Sequence, residues 1–292
     1  MGFFNVYKER GISSARAVGI IKKITGEKRV GHMGTLDVEA EGVLPVAFGK
    51  SVRLFDFLLS KDKIYETYFE FGRETDTLDY AGNTVFTTEN IPDFEQFLST
   101  LPSFTGELEQ IPPKYSALKI NGKCGYDIMR QGGDYTPKTR KVNIYSFKEP
   151  KRINERTFAV NVHCSAGTYI RSLVRDVARA MNSAAVLSKL VRIKSGCFEL
   201  SDSARLAEIE KNPAEYVLPS DFPLLNMPKR ELEEDEFRNL RNGIRIKSSG
   251  FNENEFTAYY NGKLYGIVGT DSLGMLFTKT YLYEENDDKN FL

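Results

Sequence analysis

Residues 158–181 read FAVNVHCSAGTYIRSLVRDVARAM. Across the first part, Phe158, Val160, Val162 and Cys164 alternate with Ala159, Asn161 and His163, the two-residue period of a half-buried strand. After Ser165-Ala166-Gly167-Thr168 the period changes. Ile170, Leu173, Val174, Val177, Ala178 and Met181 recur at helical spacing, and Arg171 projects off that apolar stripe in the first turn. One stretch therefore predicts a strand, a turn and an amphipathic helix. Working outward, Tyr65, Thr67, Phe69 and Phe71 alternate with Glu66, Tyr68 and Glu70, which predicts a second strand. Ser13–Ile24 reads as a helix capped by Ser13 or Ser14, and Pro92 opens a short helix with Phe94, Phe97, Leu98 and Leu101 on one stripe. Strands and helices mix without a strict βαβ rhythm, so the expected class is α+β.

The chain has 292 residues, enough for one large domain or one domain with an appendage. Near residue 215 the composition shifts. The acidic run Glu231–Glu236 leads into Phe237, Leu240 and a Gly243 stop, a short helix, and an Asn261-Gly262 turn separates the apolar runs Phe256–Tyr260 and Leu264–Val268, with Phe277–Tyr283 following. We read 226–284 as a small β-rich unit, 1–215 as the main domain and 285–292 as a polar tail. No stretch approaches the roughly 20 apolar residues of a membrane helix. The first residues, MGFFNVYKERG, carry no apolar h-region, so no secretory signal is expected and a cytoplasmic location is. Cys124, Cys164 and Cys197 are too few and too scattered for a disulfide framework, and with two histidines they leave little for a metal site.

A net charge of zero conceals strong local asymmetry: residues 61–113 carry −8 and residues 114–175 carry +9. A charge run is most often a solvated surface. Here Tyr115, Tyr126, Tyr135 and Tyr145 interleave with the cations, a composition suited to stacked bases beside phosphates. The densest chemistry lies in Gly31-His32-Met33-Gly34-Thr35-Leu36-Asp37-Val38-Glu39-Ala40-Glu41-Gly42-Val43-Leu44. Asp37, between two apolar neighbours, is its most interesting carboxylate: a nucleophile or base if a cation balances it, a turn cap if not. A metal set of His32, Asp37 and His163 has no supporting ligand spacing. Phosphate-loop, dinucleotide and nucleophile-elbow motifs are missing from the sequence.

The segment from Gly31 to Leu44 closely resembles the signature of bacterial tRNA pseudouridine-55 synthases, the B-type family of pseudouridine synthases. Other blocks follow in order: Lys8 through Ser14; Lys63-Ile64-Tyr65 with Gly72-x-x-Thr75-Asp76-Thr77-x-Asp79-x-x-Gly82; Gln110-x-Pro112-Pro113-x-Tyr115-Ser116-Ala117-x-Lys119; Cys164-Ser165-x-Gly167-Thr168-Tyr169-Ile170-Arg171; and Leu190-Val191-Arg192-Ile193-Lys194-Ser195-Gly196-x-Phe198. The resemblance implies a mixed central sheet and a small PUA-like C-terminal domain. It implies isomerisation of uridine 55 in the tRNA T loop, by base flipping, glycosidic cleavage and reattachment through C5, without cofactor or metal. It assigns Asp37 as the essential aspartate, Arg171 as its partner, Tyr65 and Leu190 as walls of the base pocket, and His32 as a contact to the T loop. Residues 112–145 become an RNA-clasping insertion, with Lys114, Tyr115, Lys119, Arg130, Lys138, Arg140 and Lys141 as RNA contacts. The expected partner is the tRNA T arm, and the expected state a monomer. Four positions depart from the family pattern. Glu9 and Val38 stand where proline is usual, and Ala166 and Val191 where a cation is common. A tRNA-binding folding chaperone and a cofactor-free nucleoside hydrolase are the alternative readings.

Overall fold

The computed structural model describes residues 1–120, 122–247 and 253–285. Eleven strands form one mixed sheet. Its main path runs Ala204–Arg205, Gly2–Lys8, Glu41–Phe48, Ala185–Ser195, Lys63–Phe71, Thr157–Cys164, Arg140–Arg152 and Gly106–Gln110. The α+β class and mixed sheet are as expected. The strand read from residue 158 covers Thr157–Cys164 and pairs antiparallel with Lys63–Phe71 over eight rungs, setting Val162 opposite Tyr65. The helix that follows is Ile170–Ala180, and its stripe of Ile170, Leu173, Val174, Val177 and Ala178 is buried. On the same core lie Phe69, Phe71, Phe97 and Phe158, whose rings meet at 5.1–6.4 Å. Burial of side chains this size contributes most of the driving force for folding.

Local signals set the helix ends with one correction. Ser13 caps Ser14–Thr25 by accepting the Arg16 amide, and Gly26 closes it in the left-handed region. The short helix is Phe94–Thr100, and Asp93 rather than Pro92 starts it, because the Asp93 carboxylate accepts the Gln96 amide at 2.7 Å.

The strand Ala185–Ser195 positions the site. It pairs along its length with Lys63–Phe71, setting Arg192 opposite Tyr65, and then slips register before Lys194. On its other side it runs parallel to Glu41–Phe48 for only two rungs, Val191 to Glu41 and Arg192 to Gly42. Gly42 makes this approach feasible. Its φ is +106°, and a Cβ there would lie 2.4 Å from the Arg192 carbonyl oxygen, backbone that cannot swing aside. Gly42→Ala combines a strained φ with backbone overlap. It should destabilise the fold by about 3 kcal/mol, read as a lower urea midpoint at unchanged m-value.

Toward the C terminus a separate five-stranded sheet has the order Lys229–Glu231, Glu255–Tyr260, Lys263–Thr270, Met275–Tyr281, Ile246–Lys247. Asn261 and Gly262 both have positive φ, as a tight hairpin requires. The acidic run supplies a capping box, Glu233 with Glu236, and the helix itself is Glu234–Arg241. Phe237 stacks on Tyr260 at 3.9 Å, and these two with Leu240, Phe256, Tyr265 and Leu276 form one small core. Ile267 and Leu282 instead pack with Phe3, Met33, Val43, Leu54 and Phe198 of the main sheet region. The tail expected over 285–292 lies outside the described residues from 286 onward. Among the described residues no helix is long and apolar enough to cross a membrane.

Candidate active site

The Asp37 loop is held from both ends. Met33 and Leu36 are buried beneath it, and the Ser14 hydroxyl both accepts the Leu36 amide and donates to the Leu36 carbonyl. The Val38 carbonyl accepts from the Gly11 amide at 2.8 Å and from Lys8 Nζ at 3.4 Å. Lys8 is fully buried and also donates to the carbonyls of Glu9 and Ile12. Burial pushes its ammonium down to about 8. The ammonium ties residues 9, 12 and 38 together and so restrains the turn that carries Asp37.

Arg171, 7% exposed, projects from the first turn of its helix toward this loop. One of its terminal nitrogens, Nη2, lies 3.0 Å from Asp37 Oδ2. The other, Nη1, lies 3.6 Å from Asp79 Oδ2 and donates to the Thr77 carbonyl at 2.9 Å. The guanidinium thus bridges two carboxylates. Asp37, which has apolar neighbours in the sequence, has a side chain 44% exposed on the cavity wall. The desolvated carboxylate is Asp79, pushed above its ordinary value by burial, which the Thr77 hydroxyl and Arg171 partly offset. Asp79 lay in a quoted sequence block without a role. Its Thr-x-Asp spacing, which lets the Thr77 hydroxyl bond the carboxylate at 2.7 Å, was the signal available.

Asp37, Tyr65, Arg171, Leu190 and Arg140 line one cavity of about 590 Å³. Arg140 lies over the Tyr169 ring at 5.3 Å. Lys63 and Arg192, which sequence reasoning passed over, also line it. Burial and the Arg192 charge lower the Lys63 ammonium to about 8. His32 does not line this cavity. It sits on the strand Val30–His32 with Nδ1 buried and, among the described residues, no hydrogen-bond partner from another residue, and burial lowers its pKa. Nor do Lys114, Tyr115, Lys119, Arg130, Lys138 or Lys141 line it. Lys114 pairs with Asp134 and Lys141 with Glu107, both exposed pairs that hold their cations weakly. Arg130 lies over Tyr126, which meets Tyr115 edge-on. His163 pairs with Asp62, and among the described residues no group of three ligating side chains could hold a metal.

Of residues 112–145, the stretch expected as an insertion, the strands Lys119–Ile120 and Lys123–Cys124 and the helix Gly125–Arg130 form short-range structure, whereas 140–145 belong to the main-sheet strand Arg140–Arg152. The root of that stretch is stitched to the helix bearing Arg171. The Gln110 side chain accepts the Tyr169 amide at 2.8 Å and donates to the Tyr169 carbonyl at 3.1 Å, while the Ser172 hydroxyl donates to the Ile111 carbonyl. Beyond that root, Ala117 and Leu118 reach the cavity wall.

The chain is similar to known proteins over most of its length. The sequence pattern described as the TruB family pseudouridylate synthase N-terminal domain matches residues 22–170. The tRNA pseudouridine synthase B of Clostridium tetani is 39% identical over 249 residues, 84% of this chain and 86% of that protein. The tRNA pseudouridine synthase B of Clostridium perfringens is 33% identical over 293 residues, 97% and 99% of the two chains. Among solved structures, a chain of an H/ACA ribonucleoprotein bound to a substrate RNA containing 2'-deoxyuridine superposes with a TM-score of 0.72 at 20% identity. It covers 97% of this chain and 86% of its own length. A chain of a Cbf5–Nop10–Gar1 complex gives 0.69 at 24% identity, covering 92% and 78%. By class, then, the fold is that of a pseudouridine synthase. The chain belongs to the TruB family.

Proposed function

We propose that this protein isomerises uridine 55 in the T loop of tRNA to pseudouridine. The observation that carries the reading is the Asp37 carboxylate, held by Arg171 on the wall of a cavity that Tyr65 and Leu190 also line. The relatives' printed activity, tRNA pseudouridine synthase B, supports the substrate class. In the reaction the N1–C1′ bond breaks, the uracil turns, and a C5–C1′ bond forms. C5 loses a proton and N1 gains one, so the product is an isomer of the substrate. Asp37 acts as nucleophile or proton acceptor, and Arg171 keeps it aimed. Tyr65 and Leu190 confine the base while it turns. A base inside a folded loop must first leave its stack, at a cost of a few kcal/mol. The cations of 114–141 and Tyr115 offset that cost through phosphate contacts and stacking. Arg140 stands where the insertion meets the cavity and would hold the flipped nucleotide's backbone.

The test is incubation of an unmodified tRNA transcript with the protein, followed by carbodiimide-dependent reverse-transcription mapping and assay for free uracil. A single new stop at position 55 with no uracil released is the expected result. Released uracil would make the protein a hydrolase. Tight binding with no stop would leave an RNA-binding protein without this activity.

A further inference from the structure

The side chain of Arg192 is 1% exposed, among the largest fully buried side chains of the molecule, yet it reaches the cavity wall. Its Nε donates to the Val43 carbonyl at 2.6 Å. One terminal nitrogen, Nη1, donates to the Thr35 carbonyl at 3.4 Å, and the other, Nη2, to the Gly34 carbonyl at 3.1 Å. The strand register sets Tyr65 directly across from Arg192, close enough that, against the larger effect of burial, which raises the phenol's pKa, the guanidinium holds it down by charge and hydrogen bonding. Its hydrogen-bond partners among the described residues are carbonyls and a phenol rather than a carboxylate. Desolvating a cation without an opposite charge is costly, and an apolar side chain of that volume would often serve the fold as well or better. A bare structural strut is therefore a poor account of it.

The connections suggest a different account. Gly34 and Thr35 are the residues leading into Leu36 and Asp37, and Tyr65 lines the same cavity on a different strand. A rigid planar fork with five N–H donors can hold both at once, which a lysine ammonium cannot. The register slips between Arg192 and Lys194, immediately beyond the rung that sets Arg192 opposite Tyr65. Gly42, which permits the close parallel approach at Arg192, places the Val43 carbonyl under Nε.

We propose that Arg192 is a positioning residue for the isomerisation: its guanidinium locks the backbone leading to Asp37 to the Tyr65 hydroxyl, fixing the carboxylate and the base wall relative to each other. This rests on the function proposed above and deepens it. Misplacement of a reacting group by an ångström slows chemistry far more than it weakens binding of a large substrate. Arg192 acts through Asp37 and Tyr65, so its loss should appear in the chemical step and not in tRNA affinity.

The experiment measures single-turnover kcat, KM and tRNA affinity for wild type, Arg192→Lys, Tyr65→Phe and the double variant, with melting followed by circular dichroism. Arg192→Lys should fold, keep KM and affinity within about twofold, and lose about 100-fold in kcat. The double variant should be little slower than the slower single variant, because both remove the same link. Unchanged kcat in Arg192→Lys overturns the proposal, and so does a loss confined to KM. A double variant whose losses simply multiply overturns the link to Tyr65. If Arg192→Lys does not fold, Tyr65→Phe decides alone. A lower kcat at unchanged melting temperature supports the link, and an unchanged kcat overturns it. A wild-type protein that makes no pseudouridine overturns the functional reading together with this one, whereas an active wild type with an equally active Arg192→Lys overturns this one only.

Discussion

Asp37→Asn should abolish pseudouridine formation while leaving the protein folded and bound to tRNA. The amide keeps the size of the side chain and an acceptor oxygen for Arg171, but it cannot serve as nucleophile or as proton acceptor. A rate loss on the order of 10⁴-fold or more is expected, the scale seen when one member of a catalytic unit is removed. Stability should change by less than about 1 kcal/mol, because the lost charge is half exposed and Arg171 retains Asp79 and the Thr77 carbonyl. Filter binding of labelled tRNA, a melting curve and mapping of position 55 read the three effects separately. Pseudouridine formed by Asp37→Asn at more than a hundredth of the wild-type rate would remove Asp37 from the chemistry.

Arg171→Met should damage both activity and fold. Without the guanidinium, the carboxylates of Asp37 and Asp79 have no cation between them, and the more buried of the two, Asp79, loses its charged partner. Breaking such a pair from one side costs about 3 kcal/mol, and activity should fall about 1000-fold as Asp37 loses its aim. The pH dependence has a definite sign. Burial raises the Asp79 carboxyl above its ordinary value already, and removing Arg171 raises it further. The native state of the variant then binds this proton more tightly than the unfolded chain does, so stability falls as pH rises through that value. Urea titrations should show a larger deficit against wild type at pH 8 than at pH 5. An equal deficit at both would place the damage in lost packing rather than in uncompensated charge.

The secondary structure was largely legible in the sequence because its periods are clean. The stripe from Ile170 to Ala178 and the alternation from Tyr65 to Phe71 each bury the faces their spacing marks. Asp37 stood out locally as a carboxylate, but its partnership with Arg171 came only through family resemblance, since the two are far apart in the chain. Arg192 escaped notice for a physical reason. Its strand slips register twice against Lys63–Phe71, near Ser188 and near Ile193, so the two-residue period that separates buried from exposed positions fails there. Lys8 was hidden in a similar way: a lysine at a strand end reads as solvated until its ammonium is seen against three carbonyls. The basic segment was legible as charge, but not the intramolecular pairing of Lys114 and Lys141, which depends on residues brought near by folding.

The side chains that Ile267 and Leu282 bury among Phe3, Met33, Val43 and Leu54 have a consequence for how this chain can change over time. The C-terminal sheet is not luggage strapped to an enzyme. Its inner surface is one wall of a room whose opposite wall includes Met33 and Val43, on either side of Asp37 in the chain. A recombination event that exchanged or deleted this unit would open that room to water and disturb the loop nearest the chemistry. Its outer surface is free to drift, while its inner surface must drift in step with the enzyme.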